Sequence, residues 1–175
     1  MLSLGLEPQS AAPALAGFEG VERRFQLIGS ARGIAVLDDY AHHPTEVSAT
    51  LETARQAFGS RRLVVAFQPH LYSRTQAFAR QFGQALAAAD LVFVTDIYPA
   101  REKPIPGVTA QLVVDAARDE IGDERVRFVL DLAALTEALK HELEAGDVFM
   151  TLGAGDVGSV AHAISEQLEA ADVDE

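Results

Sequence analysis

Gly33-Ile34-Ala35-Val36-Leu37-Asp38 runs without a break into Asp39-Tyr40-Ala41-His42-His43-Pro44, and the reading of this junction decides the fold. The first six residues are short, apolar and partly β-branched, the pattern of a strand covered on both faces. Asp38 and the residues up to His43 hold two carboxylates, a phenol and two imidazoles. Pro44 then opens a helix, at a position where its missing N–H costs nothing. A buried strand that feeds a polar loop and a helix is the repeating unit of an α/β sheet.

The unit recurs along the chain. Leu63–Phe67 (LVVAF), Leu91–Thr95 (LVFVT), Val126–Val129 (VRFV) and Asp147–Leu152 (DVFMTL) read as further strands. Between them, Thr45–Phe58, Thr75–Ala88, Thr109–Ile121, Asp131–Glu144 and Val157–Ala170 space their apolar residues for one buried helical face each. Arg24–Ile28, followed by the turn-like Gly29–Gly33, predicts a hairpin with the first core strand. The expected fold is α/β: an open sheet, mostly parallel with one antiparallel edge strand, and helices on both faces. Ligands of such sheets bind beyond the carboxyl ends of the strands. That rule singles out the loops after Asp38, Phe67, Thr95 and Leu152.

Composition narrows the function. The 175 residues suit one domain, expected over 18–170, with 1–17 reading as the end of a preceding unit and 171–175 as a frayed acidic tail. Fourteen Lys+Arg against 26 Asp+Glu give a net charge of −12, which opposes non-specific binding to nucleic acid or an anionic membrane. A local cluster can still take an anionic substrate. Cysteine is absent, which excludes disulfides, thiolate metal sites and cysteine nucleophiles. No apolar run approaches the ~18 residues of a membrane span, and MLSLGLEPQS lacks the basic region of a signal peptide. The expected location is the cytoplasm.

Each loop has a chemical and a structural reading. In Asp38–Pro44, carboxylates and imidazoles at a ligand edge can move a proton or orient an amine, whereas Asp39 or His43 can equally cap the next helix. In Gln68–Thr75, Arg74 at a helix start opposes the macrodipole, which makes sense if it faces a carboxylate or phosphate. The alternative is a surface arginine with Ser73 as N-cap. Asp96–Gly107 holds three prolines and an Arg101-Glu102-Lys103 run that also suits a solvated turn. Gly153–Gly158 is formally G-x-G-x-x-G, but no strand with an acidic residue follows at the dinucleotide spacing. It leaves either N–H groups that meet an anion or tight glycine packing. Arg24 lies 15 residues before Asp39, so the hairpin would return it to that edge. No phosphate loop, G-x-S-x-G elbow or H-E-x-x-H occurs.

Gly20–Phe25 (GVERRF), Asp38–Glu46 (DDYAHHPTE), Phe67–Thr75 (FQPHLYSRT), Ile97–Ile105 (IYPAREKPI) and Gly153–Asp156 (GAGD) together, over roughly Gly17 to Leu168, resemble the C-terminal domain of the Mur ligases of peptidoglycan synthesis. The resemblance is nearest to the branch that joins L-alanine to UDP-N-acetylmuramate. It implies a Rossmann-like domain that closes over ATP and brings the amino acid to an acyl phosphate formed on the sugar's lactyl group. It implies that Arg24 lies at the ATP phosphates and Asp39 near the ribose and hinge. Tyr40, His42, His70 and Arg74 would form the L-alanine pocket, with Arg74 pairing the carboxylate. Arg24, Asp39 and His42 would be the catalytic group. No residue is assigned to a metal. ATP and Mg2+ would be held mainly by a central domain, of which 2–8 and 11–20 resemble the final helices. On that expectation the chain is inactive without sugar-binding and ATPase partner domains. His43 and Glu102 fit the motifs without an assigned role. The rival readings are the tripeptide-recycling ligase of the same family, a nucleotide- or amino-acid-binding module without catalysis, and a dinucleotide oxidoreductase disfavoured by the missing strand.

Overall fold

In the computed structural model, residues 21–173 are described, so the expectation for 1–17 lies outside them. Six strands form one sheet: β1 Gln26–Ala31, β2 Ile34–Asp39, β3 Leu63–Phe67, β4 Leu91–Val94, β5 Val126–Phe128 and β6 Val148–Leu152. Among the described residues, four helices connect the strands after β2, namely α1 Pro44–Phe58, α2 Tyr72–Leu86, α3 Gln111–Ile121 and α4 Leu132–Glu142, and α5 Gly158–Val173 follows β6. The strand order is β1-β2-β6-β3-β4-β5. Only the β1–β2 pair is antiparallel. The sequence-based architecture therefore holds.

Side-chain alternation assigns the layers. In β2, β3, β4 and β6, Ala35, Leu37, Val65, Phe67, Val92, Val94, Met150 and Leu152 face a core built by α1, α2 and α3. The residues between them, Ile34, Val36, Val64, Ala66, Phe93 and Phe149, face α4 and α5. Each strand serves both layers, which is why these runs are nearly continuous in apolar residues. β6 arrives last in sequence and inserts between β2 and β3 in register, so that Asp39, Leu152 and Phe67 end on one line. The chain leaves β2 and β3 towards one face and β6 towards the other. Crevices open at such reversals.

Two details differ from the sequence reading. The hairpin turn is not Gly29–Gly33. β1 continues to Ala31, and Arg32 and Gly33, both at positive φ (51° and 78°), make the turn. Two successive positive-φ residues match the right-handed twist of the strands they join. Gly29 sits instead at a register shift of the ladder, where a Cβ would come 2.0 Å from Ser165 Oγ of α5. α5 also continues to Val173, past the boundary expected at Ala170. Ala171 favours helix and lines a groove with Leu139 of α4 and Leu143 just after it.

α2 and α3 meet at Gly83, where an added Cβ would lie 2.5 Å from the carbonyl of Ala116. A mid-helix Gly→Ala change ordinarily stabilises by about 0.5–1 kcal/mol. Here the clash is with backbone, so Gly83→Ala should instead destabilise by about 1–3 kcal/mol, read as a lower urea midpoint.

Candidate functional site

The loops after β2, β3, β4 and β6 converge at the carboxyl edge of the sheet. Arg23, just before β1, joins them. Its Nε donates to Asp38 Oδ2 at 2.8 Å, its Nη1 to Gly155 O at 3.1 Å and its Nη2 to Gly153 O at 2.6 Å. Asp38 is 1% exposed and also accepts from Thr151 Oγ1 at 2.7 Å. The sequence reading put Arg24 beside Asp39. The structure instead makes the ion pair one residue earlier, between Arg23 and Asp38. Arg23 and Phe25 take positive φ, which alternates the side chains of this segment and leaves Arg24 exposed, 5.5 Å from the centre of the Tyr40 ring. Arg23 lies over the same ring at 5.1 Å.

Asp39 is 5% exposed and its carboxylate is filled by the chain itself. It accepts from Phe25 N at 2.6 Å, Ala41 N at 2.7 Å and Thr50 Oγ1 at 3.3 Å. The helix cap falls to His43, whose Nδ1 accepts from Thr45 N, while Glu46 closes the capping box. Glu46 Oε2 accepts from the N–H groups of both His42 and His43. Burial alone would raise the Glu46 pKa, but these bonds and the His42 and Arg24 charges outweigh it and lower it.

Tyr40, His42, His70 and Tyr98 form a row of rings. Tyr40 meets His42 edge-on at 5.2 Å, His42 meets His70 edge-on at 5.6 Å, and His70 stacks on Tyr98 at 5.8 Å. The hydrogen-bond partners assign the tautomers. His42 Nδ1 lies 2.8 Å from Tyr40 O and 3.3 Å from Glu46 Oε2, both acceptors, so Nδ1 carries a proton and, in the neutral ring, Nε2 is the basic nitrogen. His70 Nδ1 faces Arg74 Nη1 at 3.3 Å, a group that only donates, so His70 carries its proton on Nε2. Burial, then the Arg74 and His42 charges, lower the His70 pKa against the opposing charge of Glu102. Arg74 Nη1 also reaches His42 O at 3.4 Å. Among the described residues only its Nη1 is engaged, which leaves the rest of the fork for a ligand.

Ser73 is not the N-cap of α2. The cap position is Leu71, at φ 71°, with no side-chain cap of its own. Ser73 instead donates from N and Oγ to Glu102, at 3.0 and 2.5 Å. The glycine-rich loop resolves towards packing. A Cβ on Gly155 would meet Gln68 Oε1 and Tyr98, and one on Gly158 would meet Asp38. Gln68 spans the loop, donating to Asp156 Oδ1 and accepting from Val157 N. The residues brought together are thus Arg23, Arg24, Tyr40, His42, His70 and Arg74. Arg23, Glu46, Gln68 and Tyr98 were not singled out by the sequence reading. All four stand inside the matching motifs, which was the available signal.

A cavity of about 410 Å3 beside the start of α5 is bounded by Arg23, Asp38 and His162. A second, of about 540 Å3, lies at the opposite edge between α4 and α5. Neither is lined by Tyr40, His42, His70 or Arg74, each of which is half-buried. Among the described residues no three His, Asp or Glu converge as a metal site. No helix among them is long and apolar enough to cross a membrane.

The sequence profile described as "Mur ligase, glutamate ligase domain" matches residues 23–155. The chain belongs to the Mur ligase family. It is 50% identical over 172 residues to a UDP-N-acetylmuramate–L-alanine ligase of Mycobacterium sp. (strain JLS), covering 97% of this chain and 34% of that protein. The same-named ligase of Streptomyces coelicolor is 51% identical over 166 residues, covering 95% and 36%. The crystal structure of a UDP-N-acetylmuramate–alanine ligase from Thermotoga maritima superposes with a TM-score of 0.78 at 30% identity, over 97% of this chain and 35% of that one. The chain therefore spans about a third of the length of the relatives it matches.

Two outcomes test this electrostatic frame. Arg23→Met leaves Asp38 buried with Thr151 as its remaining side-chain partner and should cost about 3 kcal/mol, part of which Asp38→Asn recovers. Acid should destabilise the domain in two steps. Folded His70 binds its proton less readily than unfolded histidine, so stability falls as pH drops below about 6.5. Glu46, Asp90 and Glu102 have lowered pKa values. Their contribution is complete above about 4.3 and is lost as pH falls through the folded values. A Tm-against-pH curve reads both, and the upper step should vanish in His70→Asn.

Proposed function

We propose that this chain acts as the amino-acid-binding and closing domain of an ATP-dependent ligase that joins L-alanine to UDP-N-acetylmuramate. The observation that supports the reading is the convergence of Tyr40, His42, His70 and Arg74 at the carboxyl edge of the sheet, in a chain about half identical to ligases of that name. The pocket suits a small zwitterion. The free fork of Arg74 pairs the alanine carboxylate. His70 Nε2–H offers a donor beside it. The free Nε2 of His42 takes the proton that the ammonium must lose before the amine attacks the activated carboxyl. Tyr40 walls the site under the two guanidinium groups.

The reaction also needs ATP and Mg2+. The described residues do not fit that pair by themselves: no metal-binding cluster forms, no phosphate loop is present, and the Asp39 carboxylate is already filled. Arg24, exposed beside Tyr40, is the group of this domain free to meet a phosphate when the domain closes. Asp39 positions the segment that carries it, through Phe25 N. The tripeptide-recycling reading requires a larger amino partner, and no observation here favours it.

The test supplies the chain with the sugar-binding and phosphate-loop domains of an alanine-adding ligase as a separate protein. ATP, Mg2+, UDP-N-acetylmuramate and L-alanine are added, and phosphate release is measured. Release should require both chains. Arg74→Ala should raise the KM for L-alanine about 10- to 100-fold, the loss expected for hydrogen bonds to a charged group. Release that ignores Arg74, or that the tripeptide supports better than L-alanine, would overturn the assignment.

A further inference from the structure

α2 begins without the residue a helix start needs. Leu71 has no oxygen to offer the free N–H groups of the first turn, and Arg74 places a positive charge beside the positive end of the helix. Both faults are met from the loop after β4. The Glu102 carboxylate accepts from Ser73 N at 3.0 Å and Ser73 Oγ at 2.5 Å, with the Tyr72 amide as a further donor. These bonds, the Ser73 hydroxyl first, and the Arg74 charge lower its pKa, so it is ionised at neutral pH. The loop that bears it is fixed in turn. Glu102 N donates to Pro99 O, Tyr98 N to Pro69 O, and Leu71 N to Tyr98 O. His70 and Tyr98 form a parallel bridge. The strained backbone of Leu71, at φ 71° and ψ 136°, turns the chain between His70 and the helix. It is held between that bridge and the Glu102 cap.

We propose that Glu102 is a positioning residue of the pocket: by capping the first turn of α2 from the β4 loop, its carboxylate holds Arg74 against His70 and His42. The proposal rests on reading this face as the amino-acid pocket, but its geometry can be tested without a ligand. The charged groups around His70 are Arg74, His42 and Glu102. Arg74 acts on it more strongly than Glu102, and with the opposite sign. Charge and position therefore separate. Glu102→Gln removes the charge and keeps an acceptor for Ser73, so Arg74 stays in place. Glu102→Ala removes both and frees Arg74.

The measurement is the His70 ring titration by NMR in the ligand-free chain, with the backbone amide spectrum as the control for folding. The His70 midpoint should fall in Glu102→Gln. In Glu102→Ala and in Arg74→Ala it should rise above that of Glu102→Gln, towards an ordinary histidine. Ser73→Ala, a milder change, should shift it upward by less. Equal midpoints in Glu102→Gln and Glu102→Ala would mean that the carboxylate acts only as a nearby charge, and would overturn the proposal, as would no shift in either. L-alanine titrated into the same samples should bind about fivefold more weakly to Glu102→Ala, the equivalent of one lost hydrogen bond. If L-alanine binding proves indifferent to Arg74→Ala, the pocket reading falls while the His70 result still decides the role of Glu102.

Discussion

The guanidinium of Arg23 ties its own segment to two other elements, and the candidate site is organised around it. It pins the segment before β1 to the end of β2 through Asp38 and to the glycine-rich loop through two carbonyls. Asp38 is buried, so its charge is tolerable only because a cation reaches it. With that corner fixed, Tyr40 N donates to Arg23 O and the Tyr40 ring lies under two arginines. The row of rings then runs outward from a rigid edge. Catalytic sites gain from groups that need not reorganise when substrate arrives, and this edge supplies them with backbone and side-chain anchors alike.

The architecture was legible because each strand is buried on both faces. LVVAF spans the observed β3, and the other core strands shift by a residue or so at their ends. The β1–β2 turn was read too long because Gly29 looked like punctuation. It is a contact glycine, placed to let Ser165 approach. Local composition cannot separate a glycine that bends the chain from one that makes room for a helix 136 positions later. The order of the strands, with β6 in the middle, is likewise not written in any single segment.

The site was half legible. Tyr40, His42, His70 and Arg74 stand in loops that the sheet rule marks, and they do converge. What failed was the choice between neighbours. Arg23 and Arg24 are adjacent, as are Asp38 and Asp39, and the positive φ at Arg23 and Phe25 decides which side chain turns inward. Such backbone states are uncommon for non-glycine residues and leave no compositional trace. Glu46 was missed, and Glu102 had no role, for a different reason. Each satisfies backbone N–H groups, and a carboxylate that serves the backbone looks, in sequence, like any surface charge.

The central place of β6 has a consequence for how the molecule is made. Until residues 148–152 emerge from the ribosome, β2 and β3 have no strand between them and no reason to adopt their final spacing. Before that point the β1–β2 pair and the β3, β4 and β5 strands lack the partner that covers their inner borders in the finished sheet. Such borders are where chains pair wrongly with one another. The two halves, and with them the loops of the candidate site, can join only when the last strand slides between them. A stall in translation anywhere before β6 therefore leaves a chain whose helices and hairpin can form, but whose carboxyl edge does not yet exist.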